Sequence, residues 1–337
     1  MSSTNPRPLR TKSGRLTRRW RERALLWGLF ALVIAGLAGL AAATGWEETL
    51  TQLSRLSWGQ FAILLGLSLV NYGFRGLRWH IFARRLGLGT GLVQNMRHFL
   101  GGFAMSVTPG RVGEMVRMRW IGRETGMSFE KTAPLALVDR ASDLGAMAVL
   151  LGITVALSAT GISGALPVTV LAIAAAVVAT RPGLLGSAGD LGYRLTGRWP
   201  RLFARVRTAA RSLARFSGPS AMLAAVLLGA VGWLAEGYAF HLLLVWMGAD
   251  IGLAKAMAIF IFATLAGGLT GAPGGVGGAE AAMVALLALE GVPLEVGVPA
   301  TAVIRLTTLW FAIAIGMAVF PVAERHSARV GHALEND

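Results

Sequence analysis

Residues 126–140 read GMSFEKTAPLALVDR, and residues 291–305 read GVPLEVGVPATAVIR. Laid over each other at a constant offset of 165, they pair Gly126 with Gly291, Glu130 with Glu295, Pro134 with Pro299 and Arg140 with Arg305. Each stretch passes from glycine through an acid and a proline, and carries one arginine into a long apolar run. Upstream, His80, Gly87, Leu92 and Met96 pair with His241, Gly248, Leu253 and Met257 at an offset of 161. Between the two blocks, PGRVGE at 109–114 faces PGGVGGAE at 273–280, with two more residues in the second copy. The order is the same twice: apolar span, Pro-Gly break, glutamate, apolar span with a buried arginine. The spacing predicts an internal repeat, with copies over about 58–157 and 221–322.

The surrounding composition says what kind of molecule repeats itself. Of 337 residues, 54% are hydrophobic and only 15% charged, with 44 glycines. Mean hydropathy is +0.60. Soluble domains carry nearer 25% charged residues, so the expected fold class is an all-α polytopic membrane protein. Cysteine is absent, which excludes disulfides, thiolate metal sites and cysteine nucleophiles. Five histidines with no H-E-x-x-H pair give no reason to expect a metal or a cofactor.

About 20 apolar residues at 1.5 Å each cross a ~30 Å hydrocarbon core. Six candidate spans meet that length or approach it: Ala24–Thr44, Trp58–Phe74, Thr132–Leu157, Ala165–Thr180, Ala221–Trp246 and Gly297–Val322. The first is 21 residues long, more than the 7–15 apolar residues of a secretory signal. Two apolar pieces, His98–Thr108 and Ala258–Leu269 with its continuation Ala279–Leu289, are each too short to cross alone and are broken by proline and glycine. They suit two re-entrant Pro/Gly hairpins, whose irregular tips must be buried in protein or line a cavity.

Lysine and arginine set the orientation. With the N-terminus inside, segments 1–23, 75–131, 181–215 and the end of the chain hold 28 of the 32 basic residues. The net charge of +15 is then positive-inside bias, and nucleic-acid binding is not expected. The domain plan is a basic cytoplasmic tail at 1–23, one transmembrane domain at 24–322 with a basic cytoplasmic loop at 181–219, and a short cytoplasmic tail at 323–337. An amphipathic helix within 190–215 would rest on the anionic bilayer surface. In this topology the two copies are inverted across the membrane, as in alternating-access carriers.

Candidate chemistry follows the repeat. Arg140 lies roughly 12 Å into its span, and Arg305 at the equivalent depth from the other face. A guanidinium at that depth is a binding candidate by default, and its planar fork suits a phosphate. For Arg140 the alternative is a structural ion pair with Asp139 and Asp143. Glu114 and Glu280 follow the Pro-Gly tips, where each either caps a half-helix or carries a proton. Arg111, Glu114 and Arg117 share a helical face, so Glu114 also fits as a bridge between two arginines. Gly274, Gly275 and Gly277 either offer backbone N–H groups to an anion or allow close packing. Glu236 aligns with Arg75 at offset 161. Arg75, Arg78, Arg84 and Arg85 read as interfacial anchors, and Trp79 as part of an aromatic belt. No nucleophile–base constellation appears, so catalysis is not expected.

The motifs Arg75-x-x-Arg78-Trp79, Pro109-Gly110-Arg111-x-Gly113-Glu114-x-x-Arg117, Asp139-Arg140-x-x-Asp143, Gly274-Gly275-x-Gly277-x-x-Glu280 and Arg305 resemble the transmembrane region of the lysylphosphatidylglycerol synthase family, the flippase-like domain. The resemblance implies a bacterial or archaeal plasma-membrane protein that moves or handles an anionic or polyprenyl-linked lipid. The expected function is lipid translocation. The alternative is a non-transporting membrane partner that presents lipid to a separate glycosyl- or aminoacyl-transferase. Full synthases append a soluble aminoacyl-transferase domain. Only 17 residues follow Phe320 here, so that activity is not expected.

Overall fold

The computed structural model of the chain describes residues 56–106, 112–157, 181–197 and 218–334, with scattered positions in 47–54, 167–178 and 203–216. Among these every regular element is helical. The expected span Ala24–Thr44, more than half of the expected span Ala165–Thr180, the tail 1–23, the first hairpin's tip at 107–111 and most of 198–217 lie outside the described residues.

The first half comprises α1 (Trp58–Arg85), α2 (Leu92–Gly102) with a 3-10 turn (Phe103–Met105), α3 (Val112–Thr125) and α4 (Phe129–Leu157). A connecting helix, α5 (Pro182–Thr196), precedes the second half. There α6 (Pro219–Trp246) leads to α7 (Leu253–Leu269), a 3-10 turn (Pro273–Gly275) and α8 (Gly278–Leu289). Then α9 (Leu294–Arg305) runs through a π-helical segment (Leu306–Trp310) into α10 (Phe311–Leu334). The two halves correspond element by element. α1 and α6 are both 28 residues long and start 161 apart, α2 and α7 also start 161 apart, and α4 and α9 start 165 apart. Left-handed glycines recur at the same offsets: Gly87 and Gly248 have φ of 86° and 83°, Gly126 and Gly291 of 70° and 81°. Each stops a helix where a Cβ would be strained.

Among the described residues, three helices are long and apolar enough to cross a membrane: Phe129–Leu157, Ser220–Trp246 and Leu294–Gly331. At 28 residues, α1 also has the length, ~42 Å. It continues past the expected Phe74 to Arg85, and its polarity is turned inward. Ser68, Asn71, Arg75 and Arg78 are buried, whereas Ile63, Leu69, Val70 and Leu77 are exposed. Water would reverse that arrangement, and lipid demands it. Ser57 and Gln60 form a reciprocal capping box at its start.

α1 and α6 pack together at the centre of the molecule. Gly232 permits this, because a Cβ there would sit 3.3 Å from the Asn71 Cα. Each interrupted pair of helices folds back on itself by the same device. A Cβ on Gly113 would lie 2.5 Å from the Gly102 carbonyl oxygen, and one on Gly267 would lie 2.9 Å from that of Gly275. α7 and α8, at 17 and 12 residues, reach only ~26 and ~18 Å. Their far ends are tied by Lys255 Nζ and Glu290 Oε2 at 2.5 Å. In the first half Gln94, equivalent to Lys255, donates to Glu124. Glu124 also receives Arg97 at 3.3 Å and His98 Nε2 at 3.0 Å. α10 then crosses to the first half, where Glu324 accepts from Arg119 at 2.6 Å, Trp120 Nε1 at 2.8 Å and Arg123 at 2.9 Å.

Candidate functional site

Where the halves meet, a cavity of about 220 Å³ opens among α1, the 3-10 end of α2, α3, α4, α6, α7, the Pro-Gly turn, α9 and α10. Equivalent positions face it from both halves: Tyr72 and Trp233, Arg75 and Glu236, Phe103 and Thr264, Arg140 and Arg305. The first three pairs are separated by 161 residues and the last by 165, the offsets of the repeat. Arg117, Gly274 and Gly275 complete the polar wall.

Two ion-pair systems hold the arginines. In the first half, Asp143 accepts from Arg75 Nη2 at 2.7 Å, from Arg78 Nη2 at 2.8 Å and from Trp233 Nε1 at 3.3 Å. Asp139 takes the Nε and Nη2 of Arg78 at 3.0 and 2.6 Å. Arg140 Nη1 stands 3.7 Å from Asp143, with a third of its side chain, 34%, exposed. In the second half, Arg305 Nε donates to Glu280 Oε1 at 2.6 Å and its Nη2 to the Gly274 carbonyl at 3.0 Å. Glu280 turns its other oxygen to the Gly277 N–H at 2.7 Å, capping α8. Gly274 and Gly277 adopt left-handed φ of 65° and 84°, which lets the turn present its Gly274 carbonyl to Arg305.

Aromatic faces also hold two of the arginines. Arg117 lies 4.6 Å from the Phe99 ring centroid and 5.2 Å from that of Trp79, and its Nη2 donates to the Phe99 carbonyl at 2.8 Å. Arg75 lies 5.1 Å from the centroid of Trp233. These contacts fix guanidinium planes.

A family model of the lysylphosphatidylglycerol synthase transmembrane region matches residues 26–316, which include every residue around the cavity. The chain belongs to that family. Among curated relatives, a UPF0104 membrane protein of Methanothermobacter thermautotrophicus is 28% identical over 270 residues, covering 73% of this chain and 80% of that protein. Family membership and the apolar helices make this a multi-pass membrane protein with a lipid-related role.

Of the residues singled out in the sequence, the fold brings Arg117, Arg140, Gly274, Gly275 and Arg305 to the cavity. Asp143, Gly277 and Glu280 stand behind them as the groups that hold arginines and turn. Arg111 and the Glu114 side chain lie outside the described residues. Two readings are corrected. Arg75 and Arg78 are not interfacial anchors: they are 8% and 0% exposed and neutralised by Asp143 and Asp139. Trp79 is not in an aromatic belt either, since it is fully buried beneath Arg117. Both errors share a cause, since the helix continues past the apolar window that marked its end. Tyr72 and Trp233 were missed altogether. Offset 161 from Tyr72 to Trp233 was the signal that would have found them.

Proposed function

We propose that the protein is a lipid translocase, a flippase-like carrier for an anionic or polyprenyl-linked lipid with a phosphate-bearing headgroup. The observation that carries this reading is the meeting of Arg75, Arg117, Arg140 and Arg305, drawn from both halves, around one cavity at the centre of the helices. Its ~220 Å³ volume falls below the ~300–1,000 Å³ of pockets that swallow a whole drug-sized ligand. It suits a headgroup whose chains stay in the bilayer.

The reading treats the halves as inverted repeats, each with a re-entrant hairpin, set in the plasma membrane with both termini cytoplasmic. The matching helix lengths and offsets support the repeat, and the distribution of basic residues supports its inversion. Arg140 and Arg305 then grip the phosphate from opposite sides, each with the bidentate geometry that lysine lacks. Rocking one half against the other exposes the site to one face at a time, and the headgroup crosses with its charge matched throughout.

The test uses purified protein in proteoliposomes, with the accessibility of a fluorescent phosphatidylglycerol headgroup followed from outside. Movement by the wild type, reduced in Arg305→Lys, is the expected result. Vesicles that stay inert until a lipid-modifying enzyme is added would replace the carrier with the presenting partner.

A further inference from the structure

Among the described residues, Glu236 differs from every other carboxylate at the centre of the molecule. Asp139, Asp143 and Glu280 each accept at least two hydrogen bonds from arginine, tryptophan or backbone N–H groups. Glu236 is 5% exposed, faces the cavity, and receives no hydrogen bond from any described residue. Among the described residues it is also the sole acidic side chain of the cavity wall and of α6. Water lost on burial is therefore not replaced by protein donors, which is costly for a charged group.

The charges around it come from each neighbouring helix. α1 contributes Arg75 and Arg78, with the Tyr72 hydroxyl beside them; α3 contributes Arg117; α4 contributes Asp139, Arg140 and Asp143; α9 contributes Arg305. α7 brings no charge to this level, because its one ionic residue, Lys255, is committed to Glu290. Arg75 and Arg305 attract the Glu236 carboxylate and Asp143 repels it. Both of those arginines already hold an acid of their own.

We infer that Glu236 is the proton-binding site of the carrier, protonated while the cavity holds a phosphate-bearing headgroup and ionised when the cavity is empty. The inference rests on the carrier reading above and adds its coupling ion. A phosphate gripped by Arg140 and Arg305 shares the small cavity with Glu236, and two anions there repel. One proton taken from water onto the Glu236 carboxylate removes the repulsion and leaves the arginines to the phosphate. Proton and headgroup then favour each other's binding reciprocally, so lipid moves together with a proton. Glu280 is unsuited to this work, because both its oxygens are already engaged.

The test uses the purified full chain and dihexanoylphosphatidylglycerol, a phosphodiester that stays singly charged throughout the titration. Without the probe, infrared difference spectra against pH should show a carboxylic-acid band that titrates in the wild type, is absent in Glu236→Gln and moves in Glu236→Asp. With the probe, wild-type affinity should fall about 5- to 150-fold from the acid to the alkaline limb. Glu236→Gln should bind with the acid-limb affinity at every pH, while Glu236→Asp keeps a pH dependence. A glutamine variant that melts like wild type yet keeps the wild-type pH profile overturns the inference and leaves the carrier intact. So does a titrating band unaffected by substitution at Glu236. Absence of probe binding in the wild type at every pH fells the carrier reading, and the coupling with it.

Discussion

Arg305 Nε lies 2.6 Å from Glu280 Oε1 with both side chains buried, and this contact pins the returning arm of the second hairpin to the helix that carries the cavity's arginine. Removing one partner of a buried pair leaves an uncompensated charge. Glu280→Ala should therefore cost on the order of 3–5 kcal/mol. Glu280→Met combined with Arg305→Met should recover much of that, since apolar pairs replace buried ion pairs well. Unfolding in detergent measures both, and an alanine variant as stable as wild type would deny the contact its role.

The equivalent arginines give a functional prediction. Arg140→Lys and Arg305→Lys should insert normally yet slow headgroup movement about 10-fold or more, the worth of one charge-assisted hydrogen bond of ~1.5–3 kcal/mol. Two groups on one ligand should also couple by about 0.5–3 kcal/mol in the double mutant. Strict additivity, or a wild-type rate in either single variant, argues against a shared phosphate.

Orientation is testable because the chain has no cysteine. The loops after α1 and α6 occupy equivalent positions, so inversion requires them to face opposite sides. A single cysteine at Gly89 should label from the cytoplasm, as should one at Ser187 in the basic loop, and one at Asp250 only from outside. Labelling of Gly89→Cys and Asp250→Cys from the same side would remove the inversion and the alternating-access scheme built on it.

Glycine supplies a stability contrast within one chain. Gly113→Ala forces a methyl group to 2.5 Å from the Gly102 carbonyl and should cost about 1–3 kcal/mol through displaced backbone. Gly73, within α1, has nothing within 4 Å of an added Cβ, so Gly73→Ala should gain about 0.4–1 kcal/mol. Equal melting temperatures for the two variants would contradict the tight crossing of α2 and α3.

Glu124, at the end of α3 and outside the three long apolar helices, gives the pH prediction. Burial opposes its charge, but hydrogen bonds from His98 and Gln94 and the nearby Arg97 hold it below the ordinary glutamate range. A depressed folded value contributes stability that is complete above the unfolded value, near ~4.3, and is lost as pH falls through the folded one. Acidification below about pH 4.3 should destabilise the wild type more than Glu124→Gln, as read by melting temperature against pH.

The helices were legible because they rest on local signals: apolar length, Pro-Gly breaks, and glycines that must stop helices. Arg140, Arg305 and the Gly274–Gly275 turn were legible for the same reason. Arg75 and Arg78 were misread because hydropathy reports where an apolar window ends, and cannot tell which side of a continuing helix a charge faces. Their acids lie 61 and 68 residues further along the chain, beyond any local pattern. Glu280 likewise lacked a cation in its own neighbourhood, and Arg305 supplies it from 25 residues away.

The π-helical segment at Leu306–Trp310 begins immediately after Arg305, and the Tyr72 hydroxyl donates to the Thr308 carbonyl within it. A wide turn of this kind is the softest point of a long helix. On the carrier reading, α10 beyond it would work as a lever whose fulcrum sits beside the proposed phosphate grip of Arg305. Glu324 lies 14 residues past Trp310, ~21 Å along the axis, so a tilt of about 10° at the fulcrum sweeps it sideways by roughly 4 Å. That throw exceeds the reach of its contacts with Arg119, Trp120 and Arg123 on α3. A slight bend where the second half holds its arginine would thus pull directly on the far end of the first hairpin.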